Sequence, residues 1–458
     1  MTPTSPEPRA LRMRTRFWVV SITVVAVLAL ACVLMAAATL SRGPVVRAVV
    51  GDAATAVTQR DVTLTLRADQ ALDAASVDDV ALEPPASMQV EVVGASLRVR
   101  FTEMLAFATD YRLVVPALRG ESTGASAPAE YRFSTPPLTV TTLERGGVFD
   151  RVGGDDDAIV RHDLSHGTQA TVFHAPRIQE YAEDGGETVA LTLDQDGASG
   201  LEHVDAAGAV TSFDLPGRGD VRLLRASRDA GRVGFVFTGV STDGSEQYTG
   251  TLFLLDPSDP TAPARTVPGL NGTPVRADAW YFVPGSAYLV AQTPDHSLLL
   301  VDATGAAPPR VLGQLGDLVA MLPGTTSVVV GSVTGQSILD LTTGAERPVP
   351  GTTAAAPGGG LAILSPDLVA SWTAARLTLT VSSTESRIVA EAAVGERIEQ
   401  VCASPSGRHL AVGMVPDAAS VDGYPARADR IGRLTDVLDV GTGQVVSTVE
   451  GTRPDWCG

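Results

Sequence analysis

The apolar positions of this 458-residue chain fall into three regimes. From Phe17 to Leu40 no charged residue interrupts a run of mainly Val, Ala, Leu and Ile. A helix of that length extends about 36 Å at 1.5 Å per residue, enough to cross a hydrocarbon core of about 30 Å with some tilt. Beyond Pro44 the pattern changes to period-2 alternation in short runs, at Val62–Leu66, Met88–Val93, Leu97–Phe101, Tyr111–Val115 and Tyr131–Thr135. Each run reads as a strand with one buried face, and Gly, Pro, Asp or Ser between them marks turns, so about 90 residues predict an antiparallel sandwich. From residue 138 onward apolar strands recur at a nearly fixed interval.

That interval is set by an apolar strand ending near an aspartate and followed by a tight turn. It recurs at Asp163, Asp205, Asp256, Asp302, Asp340 and Asp439, with spacings of 42, 51, 46, 38 and 99. The last gap is about double the others, and Leu377–Thr384 lies in its middle as a degenerate copy. A second element keeps the same phase, a turn before an apolar strand, at 184–191, 284–290, 323–330 and 404–412. Seven units of roughly 46 residues, with four short strands each, are the arithmetic of a β-propeller. Leu138–Thr142, ahead of the first aspartate, is expected to close the ring against the last blade.

Two resemblances follow from these motifs. The order Val62–Leu66, Ala71–Val77, Leu97–Phe101, Leu105 to Val115 and Tyr131–Pro136 resembles the bacterial Ig-like domains of surface-layer proteins, the SbsA type, although Arg67-Ala68 stands where that family often carries Phe-Ser. The resemblance implies a spacer or adhesive module of the cell envelope. Ser404–Val412, the D-x-T-G hairpin at 302–305 and the D-x-x-T-G hairpins at 340–344 and 439–443 resemble WD-repeat-like and TolB-like propellers, without the Trp-Asp blade ending. The expected fold class is therefore all-β. A cytoplasmic tail (1–16) and a transmembrane helix or signal anchor (17–40) precede an Ig-like β-sandwich (45–137) and a seven-bladed β-propeller (138–458).

Charge fixes the orientation. Arg9, Arg12, Arg14 and Arg16 stand against Glu7 alone before the apolar run, which places the N-terminus in the cytoplasm and the bulk of the chain outside. The length of the run favours a retained anchor, while Ala36-Ala37-Ala38 offers a cleavage point that would make the remainder a secreted protein. Ala29-Leu30-Ala31-Cys32 has the outline of a lipoprotein box, but Val33 to Leu40 continue apolar where a polar stretch belongs. With Cys32 in the span, Cys402 and Cys457 are the only pair outside, and they are expected to form a disulfide tying the C-terminal tail to the last blade.

Composition narrows the chemistry. The net charge is −18 and the chain has no Lys, so nucleic acid is a poor partner and lysine-based catalysis is excluded. No H-E-x-x-H, G-x-S-x-G, phosphate loop or dinucleotide motif occurs. His162 and His166 are four apart on a hairpin, a spacing that does not aim two imidazoles at one metal. Asp155-Asp156-Asp157 lacks the twelve-residue calcium-loop pattern and reads as a solvated acidic loop. No catalytic residue, metal ligand or cofactor is assigned.

Function is then sought in the longest interruptions of the repeat. Residues 416–433 combine Tyr424 with Arg427, Arg430 and Arg433 and form the candidate interaction loop, and 241–250 with Tyr248 is a shorter one. The expected function is a membrane-anchored binding or scaffold protein of the cell envelope, its propeller contacting a protein or cell-wall component. The alternative is a propeller enzyme outside the membrane, a lactonase, lyase or glycan hydrolase, which paired carboxylates or a metal in the central channel would favour.

Overall fold

A computed structural model describes residues 8–40, 42–77, 79–149, 155–227, 229–332, 335–349, 352, 359–381 and 385–457. The chain divides into two compact units, Met1–Pro136 and Pro137–Gly458.

The first unit opens with a helix, Pro8–Leu40. Its segment Phe17–Met35, with mean hydropathy 2.7, has no buried residue and is long and apolar enough to cross a membrane. Two antiparallel sheets follow, one of Val46–Val50, Thr63–Ala68, Ser96–Phe101 and Met88–Val93 in that lateral order, the other of Ala81–Glu83, Asp110–Arg119 and Ser126–Ser134. Alternation sends Leu64, Leu66, Leu97, Val99 and Phe101 of one sheet and Leu82, Leu113 and Val115 of the other into a common core. The strands at Val46–Val50 and Ala81–Glu83 escaped the sequence reading because they are short edge strands whose outward positions break the alternation.

The second unit, among its described residues, is a succession of seven antiparallel sheets built in chain order. The second to seventh begin at Ile178, Gly217, Ala279, Asp317, Gly360 and Glu396, and each is a meander of four strands. The first contains three, Thr139–Glu144, Asp157–Asp163 and Thr168–Ala175. The recurrent aspartates end or directly follow the third strand of their sheets, or end the second strand in the three-stranded one, and their chemistry explains the recurrence. The carboxylate of Asp302 accepts from the backbone N–H of Thr304, that of Asp340 from Thr342 and Thr343, and that of Asp439 from Thr442, all within 2.7–3.0 Å. Gly305, Gly344 and Gly443 then take positive φ near 75°, which a Cβ would resist. The degenerate copy supplies a third strand, Arg376–Val381, while its turn at 382–384 lies outside the described residues.

Each sheet shares an apolar cluster with the next. Leu143 and Ile159 of the first meet Ile178 and Ala190 of the second. Trp280, fully buried, joins Val236 and Leu252 of the third to Leu289 of the fourth. Ile363 and Val369 of the sixth meet Val329 and Ile338 of the fifth, and Leu410 of the seventh meets Leu377 of the sixth. The succession returns on itself, because Val140 of the first packs with Val437 and Val449 of the seventh. This is the propeller arrangement, in which sheet faces are buried on neighbouring sheets.

Closure differs from the expectation. Thr139–Glu144 does not join the last sheet. Instead the chain end runs back to the first sheet, where Thr452 pairs with Leu143 through N–H···O bonds of 2.8 and 2.9 Å. Thr452 thereby occupies the position that the first strand fills in every other sheet. The physical reason is the missing partner: a three-stranded first sheet leaves the open edge of Thr139–Glu144 to be satisfied, and among the described residues the C-terminal segment reaches it.

Candidate functional site

The seam between first and last sheets is covered by the long insertion that follows His409–Pro416 and ends at Leu434. It folds as a pinched loop. Asp422 accepts from the N–H groups of Tyr424 and Asp429 at 3.2 and 2.8 Å, and Val421 bridges Arg430. Gly423 takes the positive φ this tight course demands.

The loop is fastened by buried charge. Arg145, just past the second strand position of the first sheet, pairs with Asp157 at 2.8 Å and Asp422 at 2.9 Å, all three side chains essentially without solvent contact. Asp157 also accepts from the N–H groups of Gly146 and Ile178 at 3.0 and 2.9 Å and from the Tyr424 hydroxyl. The Arg145 guanidinium lies 3.6 Å over the Tyr424 ring, and Phe149 meets that ring edge-on at 5.1 Å. Burial, reinforced by the Asp157 carboxylate, raises the Tyr424 phenol well above its ordinary range, so it stays a protonated donor. A low-dielectric site holding two carboxylates requires this density of donors.

A second group extends the first. Asp429 pairs with Arg433 at 2.8 Å and with Arg453 at 3.7 Å and accepts from Thr452. Burial opposes its charge, but Arg433 and these hydrogen bonds outweigh it and hold the carboxyl below its usual range. Arg453 donates to the carbonyl of Gln179 at 2.6 Å and to that of Arg427. Its burial, together with the nearby charges of Arg427 and Arg145, pushes its pKa down to about 10.

Beside this buttress lies an open cleft of about 430 Å³, lined by Glu399 and Gln400 of the seventh sheet's first strand and by Arg427, Asp429, Arg430 and Arg433. Another, of about 320 Å³, separates the second and third sheets, where His203 faces Glu187 at 3.3 Å and Arg232 pairs with Asp256 at 2.6 Å. The hydroxyls there are occupied: Ser258 donates to Asp256 and Ser227 accepts from the Ala230 N–H. A carboxylate pair does exist near the seam, Glu183 with Asp455, but both side chains hold Thr141, whose hydroxyl donates to Glu183 and whose N–H donates to Asp455. Burial, then the charge of Glu183, pushes Asp455 up to about 8.

The residues expected from sequence are therefore divided by the structure. Cys402 and Cys457 are bonded, with Cα atoms 5.2 Å apart, and join the first strand of the last sheet to the chain end. Tyr424 and Arg433, expected to meet a partner, are buried at 3% and 5% exposure, because their aromatic and cationic groups neutralise and cover Asp157 and Asp429. Arg427 and Arg430 border the cleft. Asp157 is no solvated acid but the centre of the ionic cluster, whereas Asp155 and Asp156 are exposed and Gly153 and Gly154 lie outside the described residues. His162, His166 and His174 go to separate partners, Thr142, Asp163 and Asp156. Among the described residues no group of three His, Cys, Asp or Glu side chains is placed to hold a metal ion. Tyr248 is partly exposed and donates to Glu246. Sequence reading missed Arg145, Asp422, Asp429 and Arg453; spacing gives no signal for the Arg145–Asp422 pair, whose members come from opposite ends of the unit, whereas the i,i+4 spacing of Asp429 and Arg433 was a signal left unread.

No protein-family model matches the chain, and no curated protein matches it. The chain is similar to several solved structures. The β-propeller domain of the Trilobed protease from Pyrococcus furiosus is 8% identical, with a TM-score of 0.38 over 72% of this chain and 92% of that one. A β-propeller domain from Myceliophteria thermophila is 13% identical, with a TM-score of 0.36 over 60% and 86%. AztD from Citrobacter koseri is 14% identical, with a TM-score of 0.35 over 66% and 85%. Likeness at this level assigns no activity.

Proposed function

We propose that the protein is an envelope interaction module: a seven-bladed propeller held outside the membrane by a single N-in helix, with an Ig-like domain as spacer between them in the chain. Location is supported by the apolar helix behind four arginines and by the disulfide, which oxidising compartments favour. The propeller contacts an envelope protein or wall component at the cleft beside the insertion. The observation that carries this reading is the contrast within the insertion: Tyr424, Asp422 and Arg433 are spent on buried bonds that fix the loop, while Arg427 is left exposed at the cleft. A loop held by buried bonds loses little entropy when it binds.

Cross-linked capture from envelopes tests the reading, comparing the intact protein with the double variant Arg427→Ala and Arg430→Ala. Removing 416–433 outright is a poorer test, since it would also empty the ionic cluster. The expected result is a specific partner captured by the intact protein and lost with the double variant. A partner retained by the variant moves the interface away from the cleft. Failure to capture any partner, together with turnover of a lactone or glycan panel by the intact protein, would replace the module with an enzyme.

A further inference from the structure

The cleft has an unusual charge balance for a chain of net charge −18. Its acids are already satisfied. Glu399 is shared by Arg397 at 2.8 Å and Arg430 at 3.3 Å, and Asp429 by Arg433 at 2.8 Å and Arg453 at 3.7 Å. Asp417 takes a further bond from Arg397 at 3.1 Å. Five arginines, 397, 427, 430, 433 and 453, thus stand against the carboxylates 399, 417 and 429, with a fourth acid, Glu180, acting on Arg453. The arginine without a carboxylate partner among these is Arg427, which is also the exposed one.

Its surroundings fix it in place. The Arg427 carbonyl accepts from Arg453, the neighbouring Ala426 N–H donates to Gln179 at 3.3 Å, and Asp429 is anchored on Asp422. A second cation stands close by. Arg225, on the first strand of the third sheet, lies 3.8 Å over the Tyr281 ring with its Nε buried and without a hydrogen bond. Arg225 is held below the usual arginine range by burial first; Tyr281 and the Glu180 carboxylate oppose that lowering, and the charge of Arg427 adds to it. A guanidinium presents a planar fork that matches two oxygens of a carboxylate or phosphate, and it binds them best where other cations raise the local potential.

We propose that this cleft is an oxyanion site in which Arg427 receives a carboxylate or phosphate group of the ligand. The inference rests on the module reading and specifies the chemistry of its partner: an anionic group on an envelope component, drawn to the exposed guanidinium at the cleft beside the insertion. Arg453 acts as a positioning residue through the Arg427 carbonyl.

The test is calorimetric titration of the full chain in neutral detergent with inorganic phosphate and, separately, succinate. Saturable binding is expected, weakening as ionic strength rises. Arg427→Gln should weaken it by about 10-fold or more, the scale of one lost charge-assisted pair, and Arg427→Lys by less. Arg265→Gln, an exposed arginine of the third sheet's last strand, serves as control and should leave binding unchanged. Tighter phosphate binding points to a phosphorylated wall polymer, and tighter succinate binding to a peptide carboxylate. Neither anion saturating, or Arg427→Gln binding as well as the intact protein, overturns the inference. Should anion binding fail while capture still depends on Arg427 and Arg430, the module reading stands with an uncharged ligand; failure to capture any partner sinks the reading itself.

Discussion

Leu143 and Thr452 exchange both of their backbone hydrogen bonds, at 2.8 and 2.9 Å, and so join the two ends of the propeller unit within one sheet. Around that single pair the other closure contacts are arranged. The Thr142 hydroxyl donates to the Glu450 carbonyl at 2.8 Å, and Tyr181 of the second sheet donates to the Arg453 carbonyl at 2.7 Å. One residue of strand pairing is a weak join by itself, so the seam depends on what holds the C-terminal segment beside it.

The disulfide is the first of these. Cys402 sits on the last sheet and Cys457 just past Thr452, 55 positions apart in the chain. On the loop-entropy model, constraining a loop of that size in the unfolded chain stabilises by about 4 kcal/mol. Reduction, or Cys402→Ser with Cys457→Ser, should lower the Tm of the propeller by several degrees and increase amide exchange at Leu143. A Tm insensitive to reductant would show that pairing and packing close the ring unaided.

Arg145 is the second. Arg145→Met leaves Asp157 and Asp422 buried without their cation and should cost about 3–5 kcal/mol, the scale for breaking a buried ion pair. Tyr424→Phe removes only one donor to an Asp157 that keeps Arg145 and two backbone N–H groups, so about 1–2 kcal/mol is expected. Denaturant unfolding of both variants checks the order, and equal losses would mean that Tyr424 holds the insertion as firmly as the ion pairs do.

Asp455 gives the seam a pH dependence. Its carboxyl titrates at about 8 in the folded chain because of burial and Glu183, against 3.8 as the ordinary value. Between those two values the folded state holds a proton that the unfolded state has released, so stability falls as pH rises through this window and levels off above it. Thermal unfolding from pH 5 to pH 9 should show this decline, and Asp455→Asn, neutral throughout, should flatten it. A parallel decline in the variant would assign the effect to another group.

The repeat turns carry the opposite sign. Hydrogen bonds from the Thr304 hydroxyl and backbone hold Asp302 below the carboxylate range, and backbone donation from Thr343 does the same for Asp340. Stability from such turns is present above the ordinary carboxylate range and is lost as pH falls through the lowered values. Asp302→Ala with Asp340→Ala should therefore destabilise at pH 7 and shrink the loss of stability on acidification below about pH 4. Identical acid transitions for variant and parent would show that the carboxylates leave the turns unaffected.

Much of this architecture was legible along the chain because it is local. Period-2 alternation at Val62–Leu66 and Leu97–Phe101 dictates which side chains enter the first core, and Asp302 or Asp439 makes its turn from its own neighbours within five residues. The uncharged run from Phe17 depends on composition alone, and the two cysteines outside it had no other partner to choose. The candidate site was a different matter. That 416–433 interrupts the repeat was visible, but not that Tyr424 turns inward, because Asp157 lies 267 positions away in the chain and Arg145 further still. Which of the four candidate residues in the insertion are buried, and which stay exposed, was decided only when the first sheet, the last sheet and the C-terminal segment came together. A charge is kept inside only where another charge meets it, and that meeting is a property of the closed ring rather than of any stretch of sequence.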